Sequence, residues 1–496
     1  MPGDQRQPPV NIPEFLNWVE SITGGRVVSC TELPRWRQGW YLDVDVDGDM
    51  VELYARRERG GDYEEPYPLE HEHRVLDLLN SQGVPVPRVW GFDASRRILL
   101  MERLRGVQGL AHATSDEEGR RLLTDYIDLL VACHNIPQAT LSAAGLDVPA
   151  AERRAPGAVF EYFEARYLRL KRSPAPVEEF LRRWVHRNAP RPERNASFIS
   201  YDAGQFMHYE GRITGLIDFE LAHVGDPYCD LAALRFRDTM EPLGDLAIAF
   251  ARYEELTGKA IEWDEVRYWE VAWGAITPLL WQPVSADVPP DTDLMTFMVW
   301  YVDNARYSLE VLAELYDIDL GPVDSRTPAP SAHHPSFRHL TALLALDRGR
   351  LPTSDLRRFG ALQDVEGQTS GTASNGTVAV GETEDAGDMD AMAYRRRRAY
   401  RVARHLERVD EVGGQFAEDD IDDVAALTGR KFRNSHEAAD ALEEVIAQED
   451  PARDRELVLL LHRRLQRLHL TLGPTDSLIV RHPHLQPLPD RRQLKP

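Results

Sequence analysis

Cysteine is scarce in this chain, with three in 496 residues: Cys30, Cys133 and Cys229. None belongs to a C-x-x-C pair, so zinc and dithiol motifs built on such pairs are excluded. A sparse, odd count fits a reducing compartment. Positive charge is in deficit as well: 58 Lys and Arg against 81 Asp and Glu leave a formal net charge of −23. Sequence-independent nucleic-acid binding rests on clustered cations, and this balance argues against it. No apolar run approaches the ~20 residues that span a bilayer. Residues 1–9 are polar and proline-rich, without the apolar core of a leader. The expectation is a soluble, cytoplasmic protein with neither a nucleic-acid nor a membrane partner.

What is present is an ordinary globular composition, 43% apolar and 28% charged, in a chain long enough for two or three domains. Its most informative stretch runs from Ser200 to Leu231. Phe206-Met207 and Ile213 to Ile217 flank a turn at Gly211, which predicts a β-hairpin. A hairpin brings its ends together, so Asp202, before the first strand, and Asp218, after the second, are expected to be neighbours. Two carboxylates with the Gln205 carboxamide make a hard-oxygen set suited to Mg²⁺ on phosphates. The ordinary alternative is that Asp at strand ends serves turns.

Upstream, Asn11-Ile12-Pro13-Glu14 starts a helix that Gly24-Gly25 ends. A period of two from Arg26 to Arg57, with Asp47-Gly48 as a hairpin signal, predicts antiparallel strands. Leu69 to Leu79 reads as an amphipathic helix, the prolines of Gly83–Val89 force extended backbone, and Ile98–Leu104 is a buried strand entering a polar connector. Beyond Gly106 the pattern is helical: Asp116–His134, Phe160–Lys171, Val177–Arg187, Asp230–Thr239, Pro242–Thr257, Trp263–Leu280, Leu294–Tyr316 and Phe337–Leu346. Phe163, Tyr167 and Trp184 line either a pocket or the core. Gly367–Asp388 is small and polar without a cation, the composition of a linker. Asp450-Pro451 opens a helix to Leu472 with Leu457, Leu460, Leu461, Leu465 and Leu468 on one side. The Arg395–Arg398 quartet reads as a solvated or partner-facing helix, since acidic runs follow it.

Leu216-Ile217-Asp218-Phe219-Glu220, then Gly225-Asp226-Pro227 and Asp230-Leu231, resembles the catalytic core of the aminoglycoside phosphotransferase-like family. There a loop H-G-D-x-x-x-x-N precedes a hairpin ending I-D-[FW]-E, followed by G-D-P-x-x-D-L. Glu72 to Leu76 and Gly83-Val84-Pro85-Val86-Pro87 also resemble that family's R-E-x-R-V-L and G-V-P-V-P strings. The first half of the core departs. Ser200-Tyr201 replace His-Gly, the amide follows two residues sooner, and it is Gln205 instead of Asn.

The resemblance covers roughly residues 10–345 and implies an α+β, bilobal protein-kinase-like fold, with a small antiparallel β lobe and a large, mainly helical one. A separate all-α C-terminal unit follows. The boundaries are 10–104 for the nucleotide-binding lobe, 105–350 for the catalytic and substrate lobe, 351–388 for the linker, 389–475 for the helical unit and 476–496 for the tail. It implies an ATP- and Mg²⁺-dependent phosphotransferase acting on a hydroxyl of a small molecule, either an aminoglycoside-like antibiotic or a hydroxylated metabolite. Asp202 takes the hydroxyl proton in that scheme, and Gln205 and Asp218 hold metal. Arg56, with Arg57 as second choice, meets phosphates and pairs with Glu72. Gly39 belongs to the loop over the phosphates, where an ordinary hairpin turn is the alternative. Met101, Glu102, Arg103 and Leu104 form the adenine hinge, and Asp230 anchors the catalytic loop. His134 is structural. Glu164, Asp238 and Glu241 are the acids available to a cationic acceptor. The alternatives are a kinase of a hydroxyacyl-CoA type substrate and a catalytically weak kinase-like scaffold. A homodimer through the C-terminal helices is a further expectation.

Overall fold

The structure, a computed structural model, describes residues 9–33, 37–59, 65–150, 155–191, 194–285, 288, 292–321, 327–346, 391–472 and 485–488. Helix α1, Ile12–Thr23, starts where Asn11 accepts the Glu14 N–H and stops at Gly24, whose φ of 71° is left-handed. Strands β1 (Arg26–Glu32), β2 (Gly39–Val46) and β3 (Asp49–Arg57) follow, then α2 (Leu69–Ser81), β4 (Val89–Asp93) and β5 (Ile98–Glu102). The strands form one antiparallel sheet of order β1-β2-β3-β5-β4. Asp47 and Gly48 turn β2 into β3 with positive φ of 54° and 93°, the pairing that suits a tight hairpin.

Alternation decides the interior of this lobe. Trp40, Leu42 and Val44 of β2, Leu53 and Ala55 of β3, and Ile98 and Leu100 of β5 pack with Phe15 and Val19 of α1. Leu99 and Met101 join the main core instead, together with Val75 and Leu79 of α2. β5 is thus apolar on both faces, which is why it reads as an unbroken Ile-Leu-Leu-Met run.

The larger lobe contains β6 (Val107–Gln108), α3 (Asp116–His134), α4 (Gln138–Ala143), α5 (Ala158–Leu170), α6 (Pro176–Arg187), β7 (Ser197–Ile199), β8 (Phe206–Tyr209), β9 (Arg212–Leu216) and β10 (His223–Gly225). It continues with α7 (Tyr228–Met240), α8 (Leu246–Thr257), α9 (Trp263–Gly274), α10 (Ile276–Trp281), α11 (Leu294–Tyr316) and α12 (His334–Leu346). The single helix expected over Trp263–Leu280 is two, α9 and α10, parted at Ala275. Pro278 supplies the reason: it has no N–H for the Gly274 carbonyl, and its ring crowds that carbonyl. The helix expected from Pro242 starts later, where Asp245 accepts the Ala247 N–H at 2.9 Å. Phe163, Tyr167 and Trp184 are buried in the main core, so packing is their role.

At the C-terminal end, α13 (Ala391–Arg408) runs through a π turn (Val409–Gly413) into α14 (Gly414–Thr428), and α15 (Ser435–Ile446) and α16 (Asp454–Leu472) follow. Asp450 caps the turn before α16. Leu457, Leu460, Leu461 and Leu465 of α16 are buried in the same core as Trp184 and Leu312. The apolar side of α16 is therefore covered within the chain. Lys171 bonds Glu443 at 2.8 Å and the Tyr316 hydroxyl donates to Asp454 at 2.8 Å, tying these helices to the large lobe. The linker 351–388 and most of the tail lie outside the described residues. No described helix is long and apolar enough to cross a membrane.

Candidate active site

The hairpin β8–β9 turns at Glu210 and Gly211, both at positive φ, and the Ile217 N–H donates to the Gln205 carbonyl at 3.2 Å. That bond sets Gln205 across from the end of β9, and the two acids meet on its amide. Gln205 Nε2 donates to Asp202 Oδ2 at 2.6 Å and to Asp218 Oδ2 at 2.9 Å. Its Oε1 accepts from Gln108 of β6 at 3.1 Å. The shortened loop thus still delivers a carboxamide to both acids, because Gln205 sits at the mouth of the hairpin and carries one methylene more than Asn.

Asp230, in the first turn of α7 and fully buried, holds the loop from below. It accepts the N–H groups of Ser200 at 3.0 Å and Tyr201 at 2.8 Å, the Ser200 hydroxyl at 3.1 Å, and faces His134 Nε2 at 3.0 Å. The other His134 nitrogen meets the Tyr253 hydroxyl at 3.1 Å, which gives this histidine a supporting place. Tyr201 has left-handed backbone, φ 68°. Glycine would hold that conformation without strain, and glycine is usual at this position of the motif. Here the strain is held from two sides, by Asp230 on the Tyr201 N–H and by Trp273 Nε1, which donates to its carbonyl at 2.6 Å. Asp218 is left-handed too, φ 68°.

Arg237, which the motif does not include, pairs with Asp202 Oδ1. It lies seven residues after Asp230 on α7, two turns along one face, and that spacing is the signal that could have found it. Burial pushes the Asp202 carboxyl up and Asp218 adds to this, while Arg237 opposes it.

A second cluster lies on the small-lobe side. Arg56 Nη2 is 2.9 Å from Glu72 Oε2 and 3.0 Å from Glu220 Oε2. Gly39 stands opposite Arg56 in the β2–β3 register. Arg57 turns away to Gln38 Oε1 at 3.2 Å. Glu220 also accepts from Arg59 at 2.8 Å and from Arg37. Burial works against the Glu220 charge, yet Arg59, Arg37 and Arg56 outweigh it and hold the carboxyl down at about 2. Burial pushes Glu72 up to about 7 against the pull of Arg56. Arg37 and Arg59 had no motif to mark them.

At the lobe junction, Met101 is buried and Glu102 exposed. The Glu102 N–H donates to the Arg88 carbonyl at 2.8 Å. Arg103 is committed to Asp43 at 3.3 Å and to Glu52, and lies over the Tyr41 ring. A side chain on Gly215 would collide with Leu104, so Leu104 packs on that strand. Of the three acids proposed for a cationic acceptor, Glu164 is held by Arg182 at 3.1 Å and His186 at 2.7 Å. Asp238 accepts from the Leu243 N–H and from Gln486, each at 2.8 Å. Glu241 abuts Gly109, and its carboxyl is pushed up by burial, with Arg237 opposing. Elsewhere, His334, Glu407 and Glu411 bring potential ligand atoms together. Arg404 and Arg408 pair with those two carboxylates at 2.7 and 2.6 Å, so this cluster is an ion-pair network.

The sequence model of the phosphotransferase enzyme family matches residues 37–269. No curated protein matches the chain in sequence at a significant level. Among solved structures, a macrolide 2'-phosphotransferase type I is 18% identical, with a TM-score of 0.43 over 62% of this chain and 99% of that one. A thermostable mutant of the aminoglycoside phosphotransferase APH(4)-Ia, in a ternary complex with ADP and hygromycin B, is 14% identical, with a TM-score of 0.42 over 60% of this chain and 97% of that one. The macrolide 2'-phosphotransferase MphH from Brachybacterium faecium is 15% identical, with a TM-score of 0.40 over 64% and 100%. Every acid and arginine that meets in the two clusters falls within the family match, so over residues 37–269 the chain is similar to the phosphotransferase enzyme family.

Proposed function

We propose that the chain is an ATP- and Mg²⁺-dependent kinase that phosphorylates a hydroxyl of a small molecule in the cytoplasm. The observation that carries this reading is the meeting of Asp202 and Asp218 on one atom, Gln205 Nε2. A donor at that point marks a place that favours positive charge, and oxygen ligands are what Mg²⁺ takes. Asp218 and the Gln205 amide, turned to offer its oxygen, would hold the metal, which when bound neutralises phosphate oxygens.

The remaining work falls to side chains and backbone. Asp202 orients the acceptor hydroxyl and receives its proton as the new O–P bond forms. The bond from the γ-phosphorus to the bridging oxygen breaks, and ADP leaves with that electron pair. Arg56, held by Glu72, meets phosphates beside Gly39, and backbone of Met101–Leu104 meets adenine. Asp230 keeps Ser200 and Tyr201 in place, so the geometry of Asp202 exists before substrate arrives. Pre-organised placement of this kind supplies most of the catalysis in phosphoryl transfer.

Glu164 and Asp238 are committed to internal partners. That favours a hydroxylated metabolite over a polycationic antibiotic as acceptor. One observation favours the scaffold reading: Arg237 already neutralises Asp202. A thermal-shift titration separates the two. Mg·ATP should raise the unfolding midpoint by several degrees, and Asp218→Asn should abolish the Mg²⁺-dependent part. A Mg²⁺-dependent shift that survives Asp218→Asn overturns the site assignment, and no shift at millimolar ATP favours the scaffold.

A further inference from the structure

Three arginines from three places in the small lobe converge on one carboxylate. Arg37 precedes β2, Arg56 is near the end of β3, and Arg59 follows β3. All three bond Glu220. The chain has four lysines, Lys171, Lys259, Lys431 and Lys495, and none lies in residues 10–104. The long cationic side chains of this lobe are therefore all arginines.

The cluster is rich in donors. Each guanidinium has five N–H groups, and a carboxylate has about four acceptor sites. Glu65 forms an ion pair with Arg59 at 2.7 Å, and Glu72 one with Arg56 at 2.9 Å. Even so, Arg37 Nη2 and Arg56 Nε are buried without a hydrogen-bond partner among the described residues. Arg37 is only 7% exposed, so water does not readily supply one. An unmet buried donor on a charged group is costly. A purely structural ion-pair cluster gains nothing from leaving such donors over, whereas an anion site needs them. The charge of Asp218 also reaches Arg56, which sets the cluster beside the acids of the candidate active site.

We propose that Glu220 is an internal surrogate for phosphate. In the nucleotide-free protein it gathers Arg37, Arg56 and Arg59, and the phosphate chain of a nucleoside di- or triphosphate takes its place on binding. Phosphate oxygens accept bidentate bonds from arginine forks, so they satisfy the leftover donors as one carboxylate cannot. Arg37 and Arg59 thereby become phosphate-reading residues additional to Arg56, and affinity resides in the polyphosphate more than in the base. This inference rests on the nucleotide-binding reading above.

The test is calorimetric titration of the full chain, in EDTA, with sodium tripolyphosphate, ADP and adenosine. Tripolyphosphate and ADP should bind and adenosine should not. Arg37→Gln and Arg59→Gln should each weaken tripolyphosphate about tenfold or more, the scale of a charge-assisted bond. Arg97→Gln, an exposed arginine paired with Glu58, should change nothing. Glu220→Gln removes the competitor and should tighten tripolyphosphate about three- to tenfold. A folded Glu220→Gln protein that binds tripolyphosphate more weakly than the parent overturns the surrogate role. Parental affinity in both Arg37→Gln and Arg59→Gln overturns the phosphate site, and these two decide if Glu220→Gln fails to fold. An Asp218-dependent Mg·ATP response that ignores Arg37 and Arg59 keeps the kinase reading and sinks this one. Arginine-dependent tripolyphosphate binding without any Mg·ATP response does the reverse.

Discussion

Asp202 is pulled two ways, and the balance is a residue-level property that can be measured. Burial and Asp218 push its carboxyl up, and Arg237 pulls it down. Arg237→Gln removes the opposing cation, so Asp202 holds its proton to higher pH. The acid limb of the phosphotransfer pH profile should move up by about one unit, the scale of a single close charge. Rates well above that limb should change less. Asp303 in α11 gives a cleaner test of sign. Both of its oxygens are buried without a hydrogen-bond partner among the described residues, and burial pushes the carboxyl up to about 7, with Arg306 opposing. The folded protein keeps this proton over a pH range where the unfolded chain has released it, so stability falls as pH rises from about 4 through 7. Asp303→Asn should flatten that slope in denaturant titrations. At pH 8 it should be more stable than the parent by about 2–4 kcal/mol, with little difference at pH 4. The meeting of residues was legible where they sit in one continuous string, as Asp202 and Asp218 do on Gln205. Gln108 reaches Gln205, and Arg59 reaches Glu220, from other elements, and their distance along the chain carries no record of it.

Among the elements, α7 connects most of the site. Its first turn offers Asp230 to the Ser200–Tyr201 backbone, and its last turns offer Arg237 to Asp202 and Asp238 to the tail. Asp230→Ala should leave the Ser200 and Tyr201 N–H groups buried and unmet, costing about 2–4 kcal/mol in denaturant melts. It should also release the left-handed Tyr201 and so lower catalytic turnover along with stability. The strands were readable because period-two alternation is a direct imprint of burial, as in β2. The α9–α10 break was missed because hydrophobic spacing continues through it, and only the missing N–H of Pro278 interrupts the helix. The short loop Asp202–Gln205 gave its residue types but not their mutual distances, which depend on the reach of one extra methylene.

For the whole molecule, the question is how independent the C-terminal helices are. They are separate in sequence, yet Leu442, Leu461 and Leu465 share one buried cluster with Phe180 and Trp184 of the large lobe. Calorimetry should therefore show the large lobe and these helices melting in one transition, not two. Resolved transitions that a mutation in α15 or α16 shifts separately would contradict this. Composition identified the unit as helical but could not say what its apolar sides cover, because any apolar surface satisfies such a pattern. The tail was legible only as proline-rich.

That tail makes one more contact of consequence. Gln486 accepts the Leu246 N–H at 3.1 Å, donates to Asp238 at 2.8 Å, and its carbonyl takes Arg235 from 251 residues earlier. A ribosome releases its product in order, so α7 emerges long before Gln486 does. Each newly made copy thus passes through a period in which α7 lacks this clasp, and a product cut short before Gln486 never acquires it.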